Sequence, residues 1–473
     1  MREPPPLPSP TPPDIGSRLS RWLALAASVV LGLGVVGWQM VSAETEAVRA
    51  GRAASASLAP PSSISPLVLG AKVAIGFDRS PAVGADREKF RRDLLGAVSV
   101  YAKEPADRIR YAILKGELGG GEEALEALGA VVLLADHPLR ESLTSDLEAL
   151  RKVYSGETVT AAERESLEAH HGWFARLALT YGLSDNDPDK APLIEGARRL
   201  AAGYVAFLVV LVVLGLGALV CFITAIVLLA TGRVKRTFRP PLPGGSVYLE
   251  TFALFLAGFV LLQGVQAFVP LDGAFSMSLN WLLLAVPFWP VVRGMSWRDH
   301  RMALGWHFGR GLFREVGAGV AGYLAGLPVV AVGLGISLVL IVVQGLVYEA
   351  SGETPAPPSH PVIDKLQGAP TAVIVLLLML GTVWAPVVEE AIFRGALYRH
   401  ARGRAGAAVS GLMSAVVFAA LHPQGLALIP ALASLGFVFA LLREWRGSLI
   451  APMTAHALHN GMVLSLVVLI ARA

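Results

Sequence analysis

"APVVEEAIFRGALYRH", Ala385 to His400, closes an apolar run that begins near Thr371 and is long enough to cross a bilayer. Glu389, Glu390 and Arg394 therefore stand near membrane depth, where an unpaired charge is expensive. The spacing resolves part of the conflict. Glu390 and Arg394 are four apart, so they share a helix face, with the acid on the favourable N-terminal side of the cation. Their pairing neutralises one carboxylate. Glu389 lies about 100° around the helix and is left free. Chemistry is thus assigned to Glu389, and a supporting role to Glu390 and Arg394. Such a segment makes the chain all-α and membrane-embedded.

The rest of the chain agrees. It has 473 residues, of which 54% are hydrophobic and 16% charged, against roughly 25% charged in soluble chains. The net charge is +4. The basic residues bunch between apolar runs, as in anchoring loops, and not as a nucleic-acid surface. The single cysteine, Cys221, sits in an apolar run, so neither an intrachain disulfide nor a Cys-based metal site is available.

Residues 1–20 read as a disordered tail, with seven prolines in the first 17 residues. Residues 21–43 read as a transmembrane anchor. Val41 to Ala43 resembles a signal-peptidase site, but the run exceeds a usual signal core and is read as uncleaved. Residues 44–197 read as a small extracytoplasmic helical domain, opening on a linker at Arg52 to Pro66. Its helical patterns are Arg87–Glu104, Glu122–Ala135, Leu139–Val153 and Ala161–Tyr181, the last beginning with a capping-box pattern at Thr160 and Glu163. His170 and His171, with Glu168, are read as solvated helix surface, because neighbouring histidines diverge on a helix.

Residues 200–244 form a membrane helix and a basic loop, and residues 245–473 a membrane domain. Beyond the anchor, apolar runs fall at 201–231, 248–269, 275–292, 316–348, 371–393, 406–422, 427–442 and 449–470. If the N-terminus is cytoplasmic and the runs alternate, Arg233–Arg239, Arg293–Arg301, Arg399–Arg404 and Arg443–Arg446 all face the cytoplasm, which favours about nine spans. Ala303 to Val316 reads as an amphipathic interfacial stretch. The expected location is a bacterial inner membrane.

Three late runs carry polar groups. The first ends in Glu389, Glu390 and Arg394. Another ends in "FAALH", Phe418 to His422. The last contains "HALHN", His456 to Asn460. Glu389 and His422 are nearly equidistant from the turn at Gly403 to Gly406, so they should meet at one level. His456 and Asn460, four apart, face the same way. Ionisable groups within spans are functional candidates. Burial strengthens a glutamate as a base for water, and His422 can orient that water. His456 and Asn460 can donate to a tetrahedral oxyanion. The rival chemistry uses Glu389, His422 and His456 as zinc ligands.

These boxes resemble those of the intramembrane proteases related to the CAAX prenyl endopeptidase, the CPBP or ABI family. "EEAIFR" is similar to its EExxxR box, "FAALH" to its FxxxH box and "HALHN" to its HxxxN box. The resemblance covers residues 370–470, and more loosely 245–470. It implies hydrolysis of peptide bonds in membrane-associated or lipidated protein substrates. It also implies a catalytic Glu389, a water-positioning His422, an oxyanion pair of His456 and Asn460, and supporting Glu390 and Arg394. No metal is favoured, since asparagine is a poor zinc ligand; zinc on Glu389, His422 and His456 is the alternative. His459 lies near the same face, and His400 is read as a solvated loop residue. Two other functions use the same residues: a non-proteolytic immunity or scaffold protein, and a transporter, which would predict a repeat with broken helices that the sequence lacks.

Overall fold

The computed structural model describes residues 11, 14–56, 58–62, 65–80, 86–269, 271–351 and 370–472. Most of the proline-rich tail and most of the loop after Tyr348 lie outside the described residues. The protein is all-α. Among the described residues, pairing of extended segments is limited to an isolated bridge between Thr11 and Pro241. The chain divides into two compact units. One comprises Met1–Glu44 and Val213–Val468, and the other is chiefly Thr45–Val212.

Helix α1 runs Arg18–Ala56, past the expected end of the anchor, so Arg52–Ala56 are helical where a linker is expected. The second unit is then built from α2 (Pro66–Asp78), α3 (Arg87–Ser99), α4 (Pro105–Gly119), α5 (Gly121–Gly129), α6 (Arg140–Ser155), α7 (Ala161–His171), α8 (Trp173–Leu179) and the start of α9 (Ala191–Ala230). Side chains close its starts: Ser65 accepts from the Val68 amide, and Thr160 and Glu163 form the expected reciprocal capping box. Its core centres on Ile75, Ile109, Ile113, Leu114, Leu128 and Phe174.

Two helices here are not apparent from periodicity, and the reason is burial. Helix α2 buries most of its faces, so no polar stripe marks it. Helix α4 begins at Pro105, suited to a first helical turn, and buries Arg110 and Glu117. Glu117 is satisfied by Arg79 at 2.6 Å and Lys190 at 3.0 Å. The expected helix Ala161–Tyr181 breaks at Gly172, whose φ of +54° lets the chain turn between α7 and α8. The reading of His170 and His171 as solvated surface is corrected. His171 is fully buried, and His170 Nδ1 is 2.7 Å from Asp146 Oδ2. His171 Nε2 lies 3.3 Å from that oxygen, off the alignment of a hydrogen bond. The diverging rings reach one buried carboxylate from two sides. Glu168 is exposed.

The other unit holds α10 (Val247–Phe268), α11 (Gly273–Val292), α12 (Trp297–Leu304), α13 (Leu312–Ser351), α14 (Thr371–Arg402), α15 (Ala407–Ala420), α16 (Ile429–Arg446) and α17 (Ile450–Arg472). All nine apolar runs fall on helices. By length and composition, α1, α9, α10, α11, α13, α14 and α16 are suited to cross a membrane, while α15 is a shorter apolar helix. The interfacial stretch from Ala303 is not one continuous helix: Gly305, Gly309 and Gly311, at φ of +101°, +53° and +115°, turn the chain between α12 and α13. Along α13, added side chains at Gly322 and Gly326 would collide with Leu442 and Val438 of α16, so glycines permit this close seam. Val388, Ile392 and Phe393 of α14 share a core with Phe252 and Phe255 of α10, Phe418 of α15 and Ala24 of α1.

Candidate active site

Helix α14 is not uniformly α-helical. Leu380–Trp384 and Glu390–Leu397 are π-helical, with an α-helical stretch at Ala385–Glu389 between them. Such widened turns concentrate at functional sites. Pro386 accounts for one of the freed groups. The Ala385 amide donates to the Leu380 carbonyl, one π-helical step back. The same step from Gly381 reaches Pro386, which has no N–H. The Gly381 carbonyl instead accepts from Asn460 Nδ2 of α17 at 2.8 Å. At the other end, the Phe393 carbonyl accepts from the buried Ser414 hydroxyl at 3.0 Å.

The π turn sets a buried cluster. Arg394 and Glu390 are both fully buried, with Nη1 3.0 Å from Oε1, as their spacing predicts. The guanidinium lies 4.6 Å from the Phe418 ring centroid and 5.2 Å from that of Phe439. Its Nη2 donates to the Gly436 carbonyl of α16 at 3.0 Å. Glu390 has a second partner: Oε1 also lies 2.9 Å from His456 Nδ1. Arg394 can only donate, so this oxygen is an acceptor and His456 Nδ1 carries the proton.

The same logic applies to His422. Its Nδ1 lies 2.7 Å from the Phe418 carbonyl, an obligatory acceptor. Both rings therefore turn Nε2 toward Glu389. His456 Nε2 is 3.8 Å and His422 Nε2 3.9 Å from Glu389 Oε2. These separations exceed a direct hydrogen bond. Oε2 is itself buried without a hydrogen-bond partner among the described residues, although the Glu389 side chain retains 15% exposure. Phe418 packs against the His422 ring at 4.4 Å, and Phe439 stacks on that of His456 at 5.1 Å.

Glu389, His422 and His456, distant in sequence, thus meet as their helix positions suggest. Asn460 is on the same helix as His456, with its amide engaged by the Gly381 carbonyl. His459 turns to another partner: its Nδ1 lies 3.2 Å from the Tyr323 hydroxyl. His400 is in the last turn of α14 and is half-buried, not in a solvated loop. The ring partner Phe439 and the carbonyls of Gly381 and Gly436 carry no signal in the sequence, because their roles arise from packing. Gln39 of α1, whose Nε2 donates to the Leu421 carbonyl at 2.8 Å, was visible only as a lone amide in an apolar run.

The donor types match a catalytic zinc set of one carboxylate and two imidazoles. The spacing does not: ligand atoms on tetrahedral zinc are roughly 3.3 Å apart. Among the described residues, no group of three His, Cys, Asp or Glu side chains is arranged to grip an ion. As set, these groups do not close on a metal.

Residues 371–462 match a protein-family model described as "Type II CAAX prenyl endopeptidase Rce1-like". No curated protein and no solved structure matches the chain. The matched segment runs from the first turn of α14 to just beyond Asn460, and the chain accordingly carries an Rce1-like type II CAAX prenyl endopeptidase domain, in keeping with the CPBP proteases that its boxes resemble.

Proposed function

We propose that the chain is an intramembrane endopeptidase whose general base is Glu389. The observation that carries this reading is the Oε2 of Glu389, unpartnered among the described residues and flanked by two Nε2 atoms at 3.8 and 3.9 Å. One water at hydrogen-bond distance from Glu389 and His422 spans such a separation. It donates one hydrogen to Glu389 and the other to the Nε2 lone pair of His422, whose Nδ1–H is occupied by the Phe418 carbonyl. Glu389 removes the first proton as the water oxygen attacks the scissile carbonyl. It then returns that proton to the leaving amine.

The oxyanion requires donors. His456 Nε2 donates only in the doubly protonated ring, whose Nδ1–H is held by Glu390. Asn460 has a second amide hydrogen beside the one given to Gly381. Each such donor contributes about 3–4 kcal/mol in known enzymes. The substrates are membrane-associated or lipidated proteins, a class supported by the family match and by the helices that surround the site. The basic loops support an inner-membrane orientation with the N-terminus cytoplasmic.

The test uses the full chain in lipid nanodiscs and a quenched peptide bearing a prenylated cysteine. Glu389→Gln and His422→Ala should each lower kcat about 10²–10⁴-fold, with helix content unchanged by circular dichroism. Near-normal turnover in either variant would reject the assignment. Activity should also survive EDTA; a loss restored by zinc would transfer Glu389, His422 and His456 to a metal-ligand role.

A further inference from the structure

Helix α1 lies outside residues 371–462, yet it supplies a side chain to the end of the helix that precedes His422. The last carbonyls of a helix have no partner further along it. Helix α15 ends at Ala420, and Pro423, just beyond His422, has no N–H to offer. In a bilayer such a carbonyl needs a donor from the protein. For Leu421 that donor is Gln39 Nε2 at 2.8 Å.

The position of this bond matters. The Leu421 carbonyl and the His422 amide are the two ends of one peptide plane. The amide donates to the Ala419 carbonyl at 3.2 Å, while the carbonyl accepts from Gln39. With the ring tied to the Phe418 carbonyl, three hydrogen bonds set the direction of His422 Nε2. Helix α1 is itself anchored in the stretch before Gln39. Ala24 joins the core formed by Phe252, Val388 and Phe418, and Val35 is buried. Just before α1, Asp14 pairs with Arg399 of α14 at 2.8 Å.

We propose that Gln39 is a positioning residue for His422, so the active centre extends beyond the matched segment into the N-terminal helix. This inference rests on the reading of His422 as the residue that orients the water.

Two variants of the full chain in nanodiscs separate the hydrogen bond from packing. Gln39→Met keeps the side-chain length and removes the donor. Leu31→Ala loosens α1 and leaves Gln39 in place. In nitrogen-15 spectra of labelled histidine, wild-type His422 should appear as the Nδ1–H tautomer. Gln39→Met should shift the His422 signals or mix its tautomers, leaving His456 unchanged, while Leu31→Ala should move neither. Unchanged His422 signals in Gln39→Met, or equal shifts in both variants, would overturn the proposal without any need for turnover.

With the prenylated peptide, Gln39→Met should lower kcat about tenfold with KM nearly constant, and change the kcat–pH profile. A wild-type chain that cleaves no lipidated peptide rejects the protease reading, while the spectra still decide whether Gln39 positions His422.

Discussion

Glu390 Oε1 accepts from two side chains at once, Arg394 Nη1 at 3.0 Å and His456 Nδ1 at 2.9 Å. One carboxylate oxygen thus balances a buried cation and directs an imidazole. The two jobs are separable. Glu390→Ala leaves the Arg394 charge uncompensated, which should cost about 3–5 kcal/mol of stability. It also frees the His456 ring, so kcat should fall. Adding Arg394→Met to Glu390→Ala removes the stranded charge and should recover most of the stability without recovering turnover. Thermal unfolding and steady-state cleavage, run side by side on the two proteins, measure this. Recovery of both quantities would confine Glu390 to the ion pair. The i,i+4 spacing made the pair with Arg394 readable, since both partners lie on one helix. The bond to His456 was not readable, because it joins residues 66 positions apart.

At the scale of the element, Pro386 and Asn460 form a complementary pair. The proline removes a backbone donor from the π segment of α14, and Asn460 supplies one from α17. Asn460→Leu should therefore strand the Gly381 carbonyl and cost about 1–3 kcal/mol. In the double variant, Pro386→Ala restores a backbone N–H and should return much of that stability. If Asn460 also serves the oxyanion, turnover stays low in the double variant. A full return of turnover would leave Asn460 with its structural task alone. Chemical denaturation followed by circular dichroism, together with the cleavage assay, decides between the two. The apolar pattern identifies α14 as a helix. It does not reveal the π turns, because i,i+4 and i,i+5 hydrogen bonds are compatible with the same side-chain composition.

At the scale of the whole molecule, the unit formed chiefly by Thr45–Val212 contains its own buried ionisable cluster. Burial, and then the nearby Arg110 guanidinium, hold the His171 imidazole below its ordinary value of 6.5, against the pull of Asp146. Burial also opposes ionisation of Asp146, but His171 and His170 outweigh it and hold that carboxyl below the usual carboxylate range. Both shifts act in the same direction. The unfolded chain binds more protons than the folded one once pH falls below about 6.5, so this unit loses stability progressively with acid. Corrected for the intrinsic slowing of exchange in acid, the protection of amides in α6 and α7 should fall several-fold between pH 7 and pH 5. His171→Leu, which cannot take up a proton, should flatten most of that change. An undiminished pH response in the variant would place the effect elsewhere.

The amino-acid sequence by itself determined that this is an all-α membrane protein, because long apolar runs in lipid have to satisfy their backbone groups internally. It also determined which residues are costly at membrane depth, and so where Glu389, Glu390, Arg394, His422, His456 and Asn460 stand along their helices. Only the tertiary structure decided what each touches on other helices. It joined Glu390 to His456, gave Asn460 to the Gly381 carbonyl, brought Gln39 to the turn before His422, and buried His171 on Asp146. Helix periodicity is a local property, carried by the spacing of neighbours in the chain. Contacts between helices depend on their rotation and depth in the packed protein, which a π turn or a small shift in helix depth can alter without changing the pattern of apolar residues.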